Sequence, residues 1–209
     1  MKKTIVRIEI SILIAVLIVN TFSFIGFSKQ CDEIRNKVLR MHVIANSDEE
    51  YDQELKLKVR DAVLNEGKEL FDGTLTADDA EEKIIPNIDR LESAALNTII
   101  EEGFDYPVKV TVVNEYFKTR VYENSVTLPA GNYTAVKVVI GEGNGKNWWC
   151  VMFPPMCLPS ASEETQLNDV LNENEIQIVR DSKKYSFKFK FLEICKELIK
   201  NNKISLYKR

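Results

Sequence analysis

The side chains able to do chemistry in this 209-residue chain are few, and they gather in two short stretches. The single histidine, His42, stands among hydrophobic neighbours in Leu39-Arg40-Met41-His42-Val43-Ile44, shortly before Ser47 and Asp48. A hydrolase would use that imidazole as a base for a serine or cysteine nucleophile, with an acid to orient it. Ser47 and Asp48 are the nearest such groups, yet no spacing here fixes that geometry. A lone histidine in an apolar run reads first as a packed or hydrogen-bonded structural residue. Structural zinc needs about four ligands at recognisable spacing. One histidine, and four cysteines without a CxxC pair, supply no such set, so no metal and no cofactor is expected. The 32 acidic residues offer many carboxylate pairs, and that abundance makes any one pair uninformative for glycoside chemistry.

The second stretch is Trp148-Trp149-Cys150-Val151-Met152-Phe153-Pro154-Pro155-Met156-Cys157, which holds both tryptophans and two of the cysteines. Cys150 and Cys157 bound a small loop bent by two prolines, suited to a disulfide in an oxidising compartment. The competing reading is a reactive thiol, for which no activating basic neighbour is in view. Adjacent strand residues point to opposite faces, so one tryptophan can join the core while the other stays available as an aromatic anchor for a partner. Gly141-Glu142-Gly143-Asn144-Gly145 lacks the GK[ST] and the helix of a phosphate cradle and reads as a hairpin loop.

These residues need elements to hold them. Val38 to Ala45 reads as a short strand, stopping at Asn46-Ser47-Asp48. Ser47 with Glu50 has capping-box spacing, and the following helix carries Leu55, Val59, Ala62 and Val63 on one stripe. It ends near Leu70–Phe71, broken by Gly73. A second helix opens at Thr76 with Asp79, is kinked or divided by Pro86, and stops at Gly103. From Pro107 the period changes to two: strands are expected from Val108, from Val121 to Leu128, from Tyr133 to Ile140 and from Asn147 to Phe153. Residues 159–175 read as a polar loop. Phe187, Phe189 and Phe191 alternate with lysines as a short strand running into a C-terminal helix. The lysines read mainly as a solvated face, with Lys183, Lys184, Lys188 and Lys190 also placed to meet anionic lipid. The expected class is α+β: an N-terminal export or anchor helix, a strand, two helices, an antiparallel β-sheet and a C-terminal helix.

The 209-residue chain is 44% hydrophobic and 29% charged, enough for residues 32–209 to be expected to bury one globular core. A net charge of −4 argues against general nucleic-acid binding, which needs a basic footprint. Lys2, Lys3 and Arg7 against Glu9 leave residues 1–28 at +2, so the remainder carries −6. No charge then falls between Ile10 and Phe27. A basic head before an uncharged apolar run reads as an export signal, either cleaved or kept as a marginal anchor, and it allows membrane association through Ile10 to Phe27. A buried N-terminal helix is the alternative. Lys29 and Gln30 before Cys31 do not fit a lipoprotein site.

Four stretches taken in order carry a resemblance: Leu39-Arg40-Met41-His42-Val43-Ile44-Ala45-Asn46-Ser47-Asp48, Leu55-Lys56-Leu57-Lys58-Val59-Arg60-Asp61-Ala62-Val63-Leu64, Leu128-Pro129-Ala130-Gly131-Asn132-Tyr133, and Asn147 through Pro155. Together they resemble the stage II sporulation protein R family of endospore-forming Firmicutes, from about Val38 to Leu158. The resemblance implies a non-catalytic signalling protein, exported from the forespore into the space between the two membranes. There it would activate a membrane-embedded aspartic protease of the mother cell that processes pro-sigma-E. It implies no catalytic residues and no small-molecule substrate, and it does not place Cys31 or Cys195. The partner surface expected from the residues themselves is Trp148 and Trp149, with the Asn46-Ser47-Asp48 corner second. The rival reading is an exported cell-wall hydrolase using His42 and a nearby acid.

Overall fold

The computed structural model describes residues 2–122, 126–156 and 163–207. Its elements are helix α1 (Lys2–Asn36), strand β1 (Leu39–Ile44), helices α2 (Glu50–Leu70), α3 (Ala77–Ile84) and α4 (Ile88–Glu101), strands β2 (Val108–Phe117), β3 (Arg120–Val121), β4 (Thr127–Leu128), β5 (Gly131–Ile140) and β6 (Asn147–Phe153), and helices α5 (Glu163–Val170), α6 (Glu173–Arg180) and α7 (Ser182–Tyr207). The α+β class expected from the sequence is the one found.

Four strands form the main sheet in the order β2-β5-β1-β6, while β3 and β4 pair as a small separate ribbon. The sheet is mixed rather than wholly antiparallel, because β1 runs parallel to β5 and antiparallel to β6. One consequence corrects the hairpin expected at the glycine loop. β5 and β6 are not neighbours; β1 lies between them, and residues 141–146 carry the chain across the end of β1. Period-two alternation reveals a strand but not which strand it pairs with, so the expectation could not distinguish a hairpin from this crossover.

β1 is one of the two inner strands and is buried on both faces. Leu39, Met41 and Val43 join one core with Leu55, Val59 and Val63 of α2 and Leu91, Ala95 and Ile99 of α4. The opposite face meets a second core built from Phe27, Cys31 and Ile34 of α1, Ile178 and Val179 of α6, and Phe189 and Leu192 of α7. Helices thus cover both sides of one sheet.

Local signals behave as expected at several joints. The Thr76 side chain accepts a hydrogen bond from the Asp79 amide at 3.1 Å, opening α3. Pro86 divides the second helical run, with a 3-10 turn at Ile85–Asn87 between α3 and α4. Three expectations are corrected. Ser47 does not cap α2, whose N-cap is Glu49 without a side-chain bond. Of the polar loop expected over residues 159–175, residues 163–170 and 173–175 are helical, α6 being opened by a capping box between Asn172 and Glu175, and residues 159–162 lie outside the described residues. Phe187, Phe189 and Phe191 belong to α7, not to a strand, because packing on α1 selects the helical spacing of Tyr185, Phe189 and Leu192 over the alternation. The strand expected from Val121 to Leu128 is present only as the ends β3 and β4, and residues 123–125 lie outside the described residues.

Candidate functional site

β1 alternation puts Arg40 and His42 on the α1 side of the sheet, both buried. The His42 ring stacks flat on Trp149, its cross-strand neighbour on β6, with centroids 4.8 Å apart at 6°. Phe117 meets both rings edge-on, at 6.0 Å from His42 and 4.9 Å from Trp149. His42 Nδ1 lies 3.3 Å from Asn147 Oδ1, and Nε2 lies 3.3 Å from Glu115 Oε2 without the alignment of a hydrogen bond. Glu115 in turn pairs with Lys137 at 2.9 Å.

Burial pushes the His42 pKa below its ordinary value. Glu115 and Asn147 pull it back up, while Lys137 and Arg40 push it further down. The ring is therefore neutral near pH 7. A neutral base beside a carboxylate could in principle move a proton, but both ring nitrogens already face protein groups. No serine, threonine or cysteine among the described residues is hydrogen-bonded to it. Ser47 and Asp48, the nucleophile and acid weighed from the sequence, are not among its partners; the acid it does have is Glu115.

Two residues before His42 along β1, the Arg40 guanidinium is enclosed by rings. Its centre lies 4.1 Å from the Phe117 centroid, 4.8 Å from Tyr133 and 5.6 Å from Tyr122, and Nη2 donates to the Tyr122 hydroxyl. Among the described residues Nε and Nη1 have no hydrogen-bond partner. Burial also pushes the Tyr133 and Tyr122 hydroxyls up, so both stay protonated at physiological pH. Arg120 of β3 reaches over Trp149 at 5.6 Å and closes the rim of this aromatic box.

Trp148 points to the other face, where Arg60 of α2 sits 4.6 Å from its ring centre and 38% of the residue remains exposed. The two tryptophans therefore do divide between faces. The Asn46-Ser47-Asp48 corner lies at the far end of β1 and is knit into the crossover. Asn46 Nδ2 and the Ser47 hydroxyl both donate to the buried Asp52 carboxylate, at 2.9 and 2.6 Å. The Glu142 amide donates to Asn46 Oδ1 at 3.0 Å and the Lys146 amide to Asp48 Oδ1 at 2.8 Å. Main-chain bonds from Asn144 to Asn46 O and from Gly145 to Ala45 O finish the seam. Gly141 has φ +56°, and a Cβ there would run into the Asn46 side chain.

Cys150 is buried on β6; its expected partner Cys157 lies outside the described residues. Cys31 and Cys195 are free thiols and do not pair with each other. Among the described residues no group of His, Cys, Asp and Glu could hold a metal ion. Arg40, Glu115, Phe117, Tyr133, Lys137 and Asn147 were not singled out from the sequence. The signal for Arg40 was present in the same alternation that exposed His42; the others arrive from β2, β5 and β6, distant in the chain.

A family model described as stage II sporulation protein R matches residues 35–163, more than half of the chain. The chain belongs to the stage II sporulation protein R family. Stage II sporulation protein R of Bacillus subtilis (strain 168) is 36% identical over 124 residues, covering 59% of this chain and 55% of that protein. The chain thus matches about half the length of this curated relative. No solved structure matches. The stage II sporulation protein R match takes in β1 to β6, and with them the whole His42–Arg40 box and the Asn46 corner. The apolar part of α1, and α6 and α7, lie outside it.

Proposed function

We propose that this chain is an exported sporulation signal. It leaves the forespore on α1, folds in the space between the two membranes, and activates a membrane-embedded aspartic protease of the mother cell that processes pro-sigma-E. The observation that carries this reading is the family match over residues 35–163. Export is supported by α1, which is long and apolar enough to cross a membrane, with only 6% of its most apolar window buried against the rest of the chain. The body is non-catalytic, takes no cofactor or small-molecule substrate and binds no nucleic acid. The stacking of His42 on Trp149 and the Nδ1 contact with Asn147 support a structural role for the ring.

Activation works through unequal affinity for two protease states; a ligand that bound both equally would shift nothing. Moving such an equilibrium from 1:99 to 99:1 takes about a 10⁴-fold preference. The surface proposed to supply it is led by Trp148, with the exposed Asp48 at the crossover corner second and Asn46 and Ser47 holding that corner in shape; Trp149, on the opposite face, is packed between His42 and Phe117. A disulfide between Cys150 and Cys157 braces the end of β6.

Co-expression of the chain, the protease and tagged pro-sigma-E in a non-sporulating host tests the reading. Processing that requires α1 is expected; no processing by a folded, exported chain overturns it. The hydrolase reading has one observation in its favour, the Glu115 carboxylate beside His42. It requires that His42→Ala abolish wall hydrolysis by purified protein.

A further inference from the structure

Helix α7 is apolar on two opposite faces. One is accounted for: Tyr185 stacks on Phe27 at 5.6 Å, Phe189 meets the same ring edge-on at 5.3 Å, and Leu192 is buried with them. On the reverse side Phe187, Phe191, Ile194 and Leu198 recur at steps of four, three and four, the spacing that aligns side chains along one helical stripe. All four are exposed, Phe187 to 81%. Phe187 and Phe191 lie ring to ring at 6.5 Å, so the stripe is continuous. A helix that needed only its packed face would carry polar residues here.

Charge and position identify what covers the stripe. Lys183, Lys184 and Lys190 flank it and are exposed, while the Lys188 ammonium reaches the Ser23 hydroxyl at 2.9 Å. Phe191 meets Phe24 of α1 edge-on at 4.7 Å. The Phe187–Phe191 end of the stripe therefore sits beside Ser23 and Phe24, next to the exposed Phe22 and Ile25, at the end of the uncharged run and just before Lys29, while towards its other end Lys196 meets Asp32 of α1 at 3.3 Å. If α1 lies in a bilayer, this is the level of the headgroups. An apolar stripe rimmed by lysines, at that level, has the composition of an in-plane interfacial helix.

We propose that α7 docks on the surface of an anionic phospholipid bilayer, burying Phe187, Phe191, Ile194 and Leu198 beside the point where α1 enters it. The body is then held at the membrane at two places, which fixes its orientation toward anything embedded in that membrane. This rests on α1 being lipid-inserted and not on the identity of the protease.

The test uses the full chain reconstituted into vesicles of brominated phosphatidylglycerol, with Phe187→Trp as the reporter and the parent chain's two tryptophans as the background. Strong extra quenching of the new tryptophan is expected, and Leu198→Glu in the same chain should relieve it. Neutralising Lys183 or Lys184 to Gln should lower the docked-to-free ratio about fivefold per lysine in phosphatidylglycerol and leave it unchanged in phosphatidylcholine. Absence of extra quenching in a chain whose α1 resists alkaline extraction overturns the proposal. So does protection of Phe187→Trp from aqueous quencher that appears only with rising protein concentration, which would assign the stripe to a second copy of the chain. Loss of pro-sigma-E processing is read separately and bears on the signalling role alone.

Discussion

His42 is the chain's only histidine, so its protonation can be followed without interference, and the structure dictates the sign of the result. Burial is the largest influence and lowers its pKa below 6.5; the Glu115 and Asn147 contacts oppose this and do not prevail. Above about pH 7.5, one unit over the ordinary imidazole value, the folded and unfolded chains both carry a neutral ring, and His42 contributes almost no pH dependence. As pH falls through 6.5 the unfolded chain takes up a proton that the folded chain refuses. Stability is then lost at up to about 1.4 kcal/mol per pH unit, until the folded pKa is reached and the loss levels off. The perturbation is His42→Gln, which cannot titrate. Urea unfolding of the tag-free full chain in mild detergent, for wild type minus variant, should be flat above about pH 7.5 and fall below it. The imidazole NMR signal of the native chain should titrate with a midpoint below 6.5. A midpoint above 6.5, or a wild type that gains stability on acidification relative to the variant, would refute the reasoning. It would mean that the Glu115 attraction outweighs burial and that the ring is an imidazolium in the fold.

Other expectations follow from the crossover and the strands around it. A Cβ on Gly145 meets the main-chain carbonyl of Ser47, which cannot swing aside, so Gly145→Ala should lower unfolding free energy by about 2 kcal/mol in denaturant melts. Asp52→Ala strips the acceptor from Asn46 and Ser47 and should destabilise by about 3 kcal/mol, with faster amide exchange across residues 141–146. If Cys150 and Cys157 are joined, non-reducing peptide mapping of exported protein recovers them as one cross-linked fragment. Cys157→Ser should then lower stability by about 2.5 kcal/mol, the loop-closure value for about eight residues. Trp148→Ala forfeits the Arg60 contact at a stability loss of about 1 kcal/mol, yet should sharply reduce pro-sigma-E processing if this side chain is an anchor for the protease.

Much of the fold was legible because its signals are local. The Thr76 cap, the division at Pro86 and the stops at Gly73 and Gly103 depend on dihedrals and hydrogen bonds within a few residues of each position. The same locality misled where two local readings competed. Ser47 with Glu50 satisfies the spacing of a capping box, but its hydroxyl is drawn to Asp52, a stronger, charged acceptor. Phe187, Phe189 and Phe191 fit a period of two as well as a place in a helix, and only contact with Phe27 decides between them. In the candidate site, His42 and Trp149 were legible as residue types, while their stacking was not, because it depends on β6 pairing with β1 across a span of more than one hundred residues.

From its sequence alone, then, the chain determines an uncharged apolar run behind a basic head, a body of helices followed by strands, and blocks of residues that carry the family resemblance. These are properties of composition and short-range periodicity, written within one element at a time. The tertiary structure alone decided that β5 and β6 flank β1, that Arg40 sits in an aromatic box and that His42 is held between Glu115 and Asn147. It also turned the Asn46-Ser47-Asp48 corner into a clasp on the glycine loop. Each of these depends on which distant segments meet. That is settled by the shared burial of several apolar faces at once, and no single segment encodes it.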